Sequence, residues 1–161
     1  MRRLLMASLV LAVLPVGTAG AQTPVVYSSL PLQGASAAQA RDIVRGIDLA
    51  NERAGRLVRH VSLDDSTRRA GTWTPERVVA NARRALRDDR TIAYIGEFNS
   101  GASGISIPML NYAGILQVTP SNTHIGLTED GPGADRGEPD RYYPTGRRTF
   151  GRVIPNDQVQ A

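Results

Sequence analysis

Cysteine is absent from this 161-residue chain, and so is lysine. Without cysteine no disulfide can staple the fold, and no thiol can carry a lipid anchor behind a leader. Stability must then come from a buried apolar core, for which this length is ample for one domain. All 19 basic residues are arginine, against 15 acids, a pattern of codon preference more than of selected charge. Aromatics are scarce, at 5% of residues, with a single tryptophan. The arginines alternate with acids, as in Arg41-Asp42, Glu52-Arg53 and Arg87-Asp88-Asp89-Arg90. Such a mixed surface lacks the one-signed stripe with interleaved aromatics that nucleic-acid binding uses, so no nucleic-acid partner is expected. The two histidines, His60 and His124, show no metal-ligand spacing, and no cofactor is expected.

What is present begins with a leader. Arg2 and Arg3 precede an apolar run from Leu4 to Val16, and Ala19-Gly20-Ala21 supplies small residues for cleavage. The run is too short for a bilayer core, which takes about 20 residues. Residues 1–21 therefore read as a signal peptide. Cleavage after Ala21 leaves 161 − 21 = 140 residues, with 17 of the 19 arginines. The mature chain is expected to be exported, periplasmic or extracellular, neither lipid-anchored nor inserted in a membrane.

Beyond the leader, strand and helix patterns alternate. Val25 to Leu30 is a short β-branched and aromatic run closed by Pro31 and Gly34, which predicts a strand. Ala40, Ile43, Val44, Ile47, Ala50 and Ala54 lay one apolar stripe along a helix from Ala37, stopped by Gly55. Leu57 to Leu63 predicts a second strand. Thr74-Pro75-Glu76 sets an N-cap, a proline at the first helical position and an acid in the first turn. Val78, Val79, Ala82 and Leu86 form that helix's buried stripe. Thr91 to Gly96 is a nearly all-apolar strand, as expected where both faces are covered. Gly101 to Tyr112 predicts a third helix with Pro108 as an irregularity, and Ile115 to Val118 a fourth strand.

Strands separated by helices pair in parallel through right-handed crossovers, so the fold class is α/β, a parallel sheet flanked by helices. Such sheets bind ligands beyond the carboxyl ends of their strands. Two loops there have suitable chemistry: Gly96-Glu97-Phe98-Asn99-Ser100-Gly101 and Thr119-Pro120-Ser121-Asn122-Thr123. Residues 22–128 are read as one α/β ligand-binding lobe. From Glu129 to Arg148 the chain is rich in Gly, Pro, Asp and Arg, which predicts a long exposed loop. Thr149 to Ile154 reads as another strand, and Pro155-Asn156-Asp157 as the cap of a further helix. Residues 129–161 together read as an extended loop and the start of a crossover.

The ordered segments Arg41 to Gly55, Val61 to Ser66, Ile92 to Ser100 and Gly114 to Thr123 resemble the first lobe of periplasmic amino acid-binding proteins of the Leu/Ile/Val type. Phe150 to Asp157 resembles that family's passage toward its second lobe. The resemblance implies the type I periplasmic-binding-protein fold, two lobes closing on a ligand, with the second lobe absent from this sequence, an N-terminal fragment. It implies a non-enzymatic substrate-binding component of an ABC importer, partnered by a membrane permease and a small amino acid or related organic ligand. It also implies ligand contacts from Phe98, Asn99, Ser100, Ser121, Asn122 and Thr123. The Ser100 loop would meet the ligand carboxylate, and the Ser121-Asn122-Thr123 loop the carboxylate and ammonium. Independently, Ser100 and Gly101 stand at a helix N-terminus, where bare amides and the dipole favour an anion. The competing role for Ser100 and Ser121 is that of ordinary N-caps.

Other functions fit less well. Gly96, Gly101 and Gly104 miss the dinucleotide-loop spacing, and Ile105 spoils a nucleophile elbow at Ser103. Asp64 and Asp65, adjacent on a strand, point to opposite faces and are expected to cap a turn. His60 and His124 read as packed or surface histidines. A ligand-sensing ectodomain of the same fold is the nearer alternative, and an exported hydrolase the more distant one.

Overall fold

The computed structural model describes residues 22–161. The expected signal peptide, residues 1–21, lies outside the described residues. In chain order the elements are β1 (Val25–Leu30), α1 (Ala37–Arg53), β2 (Arg59–Asp64), β3 (Ser66–Thr67), β4 (Thr72–Trp73), α2 (Pro75–Leu86), β5 (Thr91–Gly96), α3 (Ser100–Tyr112), β6 (Leu116–Thr119), β7 (Phe150–Arg152) and α4 (Asp157–Gln160). Single 3₁₀ turns stand at Ile125–Leu127 and Asp140–Tyr142. Five strands form one sheet in the order β2-β1-β5-β6-β7, every pairing parallel. The α/β parallel sheet expected from the sequence is thus the observed fold, joined by a short β3-β4 hairpin that propensity does not reveal.

Local signals account for the elements. Thr74 accepts a hydrogen bond from the Arg77 amide, with Pro75 at the first helical position, as the sequence predicts for α2. Alternation along β1 then sorts the two faces. Val25 and Tyr27 pack with Leu63, Tyr94, Ala85 of α2 and Leu110 of α3 in the main core. Ile107, Leu127, Tyr142, Tyr143 and Phe150 form a second cluster beside it.

The opposite face differs from expectation. Of the α1 stripe only Ala40 is fully buried, whereas Ile43, Val44 and Ile47 are half-buried and Ala50 and Ala54 exposed. On β5, Ala93 and Ile95 are half-buried, so the strand is not covered on both faces. The reason is a groove of about 660 Å³ in which Val26, Ile47, Ala93, Ile95, Val118 and Val153 meet. Among the described residues α1 covers only the β1–β2 side of this face.

The segment from Glu129 to Arg148 is for the most part the exposed loop its composition predicts, but it is pinned down at Glu138, Pro139, Tyr142 and Tyr143, which are buried. Tyr143 Oη donates to the Leu127 carbonyl at 2.6 Å. The two rings join Ile107 of α3, Leu127 and Phe150 in one cluster, which packs this part of the segment onto α3. Leu110→Ala, in the main core, is expected to cost about 2–5 kcal/mol in urea unfolding. Leu116→Ala, on the open face of β6 and 50% exposed, should cost under about 1 kcal/mol. Equal costs would contradict a one-sided core.

Candidate functional site

The carboxyl ends of β5 and β6 lie side by side, because Ile95 pairs with Val118 in parallel register. The loops that leave them are therefore neighbours, and side chains stitch them together. Asn122, fully buried, donates through Nδ2 to the carbonyls of Glu97 (3.0 Å) and Phe98 (2.8 Å). Ser121 Oγ donates to the Phe98 carbonyl at 2.7 Å. Thr119 Oγ1 donates to the Glu97 carbonyl at 2.8 Å and accepts from the Ser121 and Asn122 amides. Across the seam, the His124 amide donates to Ser100 Oγ at 3.4 Å.

The structure thus brings all six sequence-predicted residues to one edge of the sheet. Phe98, Asn99 and Ser100 are half-buried there, as are Ser121 and Thr123. Neither serine is an ordinary N-cap. Asn99 occupies the cap position of α3 without a side-chain cap bond, while Ser100 is the first helical residue. Asn99 Oδ1 is buried without a partner. The Thr123 hydroxyl makes no hydrogen bond to another described residue. At the α3 N-terminus the Ala102 and Ser103 amides donate to the Asn99 carbonyl, the Ser100 and Gly101 amides have no intrahelical acceptor, and the helix dipole adds positive potential.

Two glycines stand close against neighbouring elements, and at Gly96 no other residue fits. Gly96 has φ +143°, and a Cβ there would stand 2.5 Å from the Ser29 carbonyl of β1. A Cβ on Gly101 would stand 3.2 Å from the Trp73 ring, so the β3-β4 hairpin closes down on the start of α3.

Sequence reasoning missed three residues at this edge: Trp73, Asp65 and Glu97. Glu97 is fully buried; its Oε1 accepts from Tyr94 Oη at 2.9 Å, and its Oε2 has no partner. Burial, chiefly, holds its carboxyl well above the usual range, with the neighbouring Asp65 adding to the effect. Asp65 is fully buried too, and burial pushes it up to about 6. Asp64 behaves in the opposite way. Burial favours its neutral form, but donors from Ser66, Gln33 and Leu32 hold its carboxyl below the usual range. The expectation that Asp64 caps a turn holds, and Asp65 does something else.

The histidines are packed. His124 Nε2 meets Glu138 Oε2 at 2.8 Å, with Arg141 and Tyr142 on the other carboxylate oxygen. His60 lies between Asp48 Oδ1 (2.6 Å) and Ser28 Oγ (2.8 Å), which has the outline of an acid–base–nucleophile triad. Ser28, however, is fully buried in mid-strand, so this chain of bonds ties α1 to β1 and β2 and presents no nucleophile to a substrate.

No family model matches the chain, and no curated protein matches it. Solved structures do. A leucine-binding protein from Thermotoga maritima superposes with a TM-score of 0.63 at 26% identity, covering 85% of this chain and 34% of that one. A putative branched-chain amino acid ABC transporter protein from Rhodospirillum rubrum gives 0.62 at 21%, covering 84% and 35%. An extracellular ligand-binding receptor from Rhodopseudomonas palustris gives 0.61 at 18%, covering 86% and 33%. The chain therefore has the type I periplasmic-binding-protein fold seen in branched-chain amino acid substrate-binding proteins, and it spans about a third of their length. These neighbours are binding proteins. Among the described residues, no helix is long and apolar enough to cross a membrane.

Asn122 is the strut between the two loops. Its truncation to alanine removes two hydrogen bonds, leaving the Glu97 carbonyl to Thr119 and the Phe98 carbonyl to Ser121, an expected loss of about 1–3 kcal/mol in urea unfolding. A loss below about 0.5 kcal/mol would show that the seam does not depend on it.

Proposed function

We propose that this chain is the cleft-forming lobe of an exported substrate-binding component of an ABC importer. It holds the polar end of a small amino acid or related carboxylate at Phe98, Asn99, Ser100, Ser121 and Thr123, with the buried Asn122 as the strut behind them. The observation that carries the reading is the stitched seam, which fixes a helix N-terminus and a row of hydroxyl and amide groups at the carboxyl edge of the sheet. Bare amides of α3 suit the carboxylate. The Thr123 hydroxyl can donate or accept, and the partnerless Asn99 Oδ1 suits an ammonium. The names of the structural neighbours support a small ligand and, with it, a membrane permease as partner. A sensing ectodomain is the second reading, favoured by the neighbour described as an extracellular receptor.

On this reading residues 1–21 are the export signal, cleaved after Ala21, and the passage toward a second lobe follows β7. Such a lobe supplies the other wall of the cleft, and further chain covers the apolar groove beside α1. Half a cleft encloses its ligand poorly. The 161-residue chain alone should then bind leucine only in the millimolar range or weaker, about −4 kcal/mol; micromolar binding by calorimetry would overturn the two-lobe reading. In a two-lobed protein carrying this chain, Ser100→Ala and Thr123→Ala should each weaken binding about tenfold to a hundredfold, as a charged ligand group loses one hydrogen bond. Ser62→Ala, exposed on β2 away from the edge, serves as control. Binding within twofold of wild type for both site variants would show that these residues hold the loops and not the ligand.

A further inference from the structure

We propose that a proton shared between the carboxyls of Asp65 and Glu97 fastens the loop after β5 to the end of β2, making the pair the positioning device for Phe98, Asn99 and Ser100. Its functional consequence rests on the ligand reading above; the proton itself is testable without ligand.

Both residues sit one position beyond a strand, and their backbones are fixed. The Asp65 amide donates to the Leu30 carbonyl at 3.2 Å, and its carbonyl accepts from the Thr74 amide at 2.9 Å. The Glu97 amide donates to Ser103 Oγ at 3.0 Å, and its carbonyl accepts from Thr119 and Asn122. Neither side chain reaches solvent. Tyr94 satisfies Glu97 Oε1, which leaves Glu97 Oε2 and both Asp65 oxygens without a donor. Two buried carboxyls that act on each other, with three oxygens that no donor reaches, repel and lack solvation when both are ionised. One proton turns one of those oxygens into a donor to the other carboxyl, so two of the three bare oxygens become partners.

No side chain around the pair makes a hydrogen bond to the three bare oxygens. The groups acting most strongly on the pair are each other, Tyr94 of β5, Ser29 of β1 and Asp64 of β2. The Asp64 carboxyl is already turned to Leu32, Gln33 and Ser66. From α2 Asn81 donates to Ser29 Oγ, and from α3 Ser103 Oγ accepts from the Glu97 amide. Neither is titratable.

The sign of the pH effect follows. A carboxyl that holds its proton more tightly folded than unfolded releases it on unfolding, so its contribution is complete below the unfolded value of 3.8 and is lost as pH rises through the folded one, about 6 for Asp65. A displacement of about two pH units changes the folded-to-unfolded ratio about a hundredfold.

The test compares urea unfolding of the full chain with that of Asp65→Asn and Glu97→Gln between pH 4 and pH 7, without ligand. Relative to either variant, the wild-type folded-to-unfolded ratio should fall about a hundredfold across that window. The amide resonances of Phe98, Asn99 and Ser100 should move with the same midpoint in wild type and stay still in the variants. Glu97→Gln can still accept from Tyr94 and donate to Asp65, so it decides the matter if Asp65→Asn fails to fold. A wild-type curve that runs parallel to Glu97→Gln within threefold, or loop amides that ignore the midpoint, would overturn the shared proton. Failure of leucine to bind the two-lobed protein bears only on the ligand reading, since neither measurement here involves ligand.

Discussion

The parallel pairing of β5 with β6 is the constraint on which the candidate site depends. Right-handed crossovers return each strand in the same direction, so the loops leaving Gly96 and Thr119 emerge at one edge although they are more than twenty residues apart in sequence. Once side by side, they must satisfy backbone groups that no strand can pair. Thr119, Ser121 and Asn122 do this by donating to the Glu97 and Phe98 carbonyls. The same bonds aim the start of α3 at the space beyond the sheet. A site of this kind is a by-product of topology made specific by three short polar side chains.

A polar layer lies directly beneath that edge. Gln117 Nε2 donates to the Gly96 carbonyl and to Ser106 Oγ, both at 2.9 Å, in the space between β6 and α3. The buried side-chain atoms without a partner gather in the same region: two on Asp65 and one each on Glu97, Asn99, Gln117 and Asn122. All are oxygens. Buried polar groups are normally paired, so an edge with surplus acceptors is short of donors. Elsewhere in the lobe the polar groups close on themselves, as Asp48, His60 and Ser28 do. The excess is confined to the end of the sheet where the fold class places ligands.

Much of this was legible in the sequence because it is local. The boundaries of β1 and β5 follow from β-branched runs ended by Pro31 and Gly96, and the start of α2 from Thr74-Pro75. The six predicted site residues follow from the rule that loops after parallel strands face ligand, together with family resemblance. What stayed hidden depends on contacts distant in the chain. Glu97 reads as an ordinary loop acid until Asp65, thirty-two positions earlier, is brought against it by strands that flank β1 on either side. Tyr142 and Tyr143 sit in a stretch whose Gly, Pro and Arg content reads as loop, yet their rings pack with Ile107 of α3, Leu127 and Phe150. Ser100 reads as a cap, but the helix begins one residue earlier than expected, so its hydroxyl turns to His124.

The two faces of the sheet show why cover and pattern are separate facts. The α1 stripe of Ile43, Val44 and Ile47 has the spacing of a buried helix face, and a strand pattern as apolar as Ala93-Tyr94-Ile95 calls for cover on both sides. Sequence specifies that demand; it cannot say which part of a chain meets it. Here Tyr94 is met by α2 and α3, while Ala93 and Ile95 open onto the groove beside α1. A groove this apolar adds no charged group to the carboxyl edge of the sheet, whose bonds run among β5, β6, α3 and the Arg152 guanidinium of β7. Covering it would therefore raise the stability of the lobe without rearranging the seam.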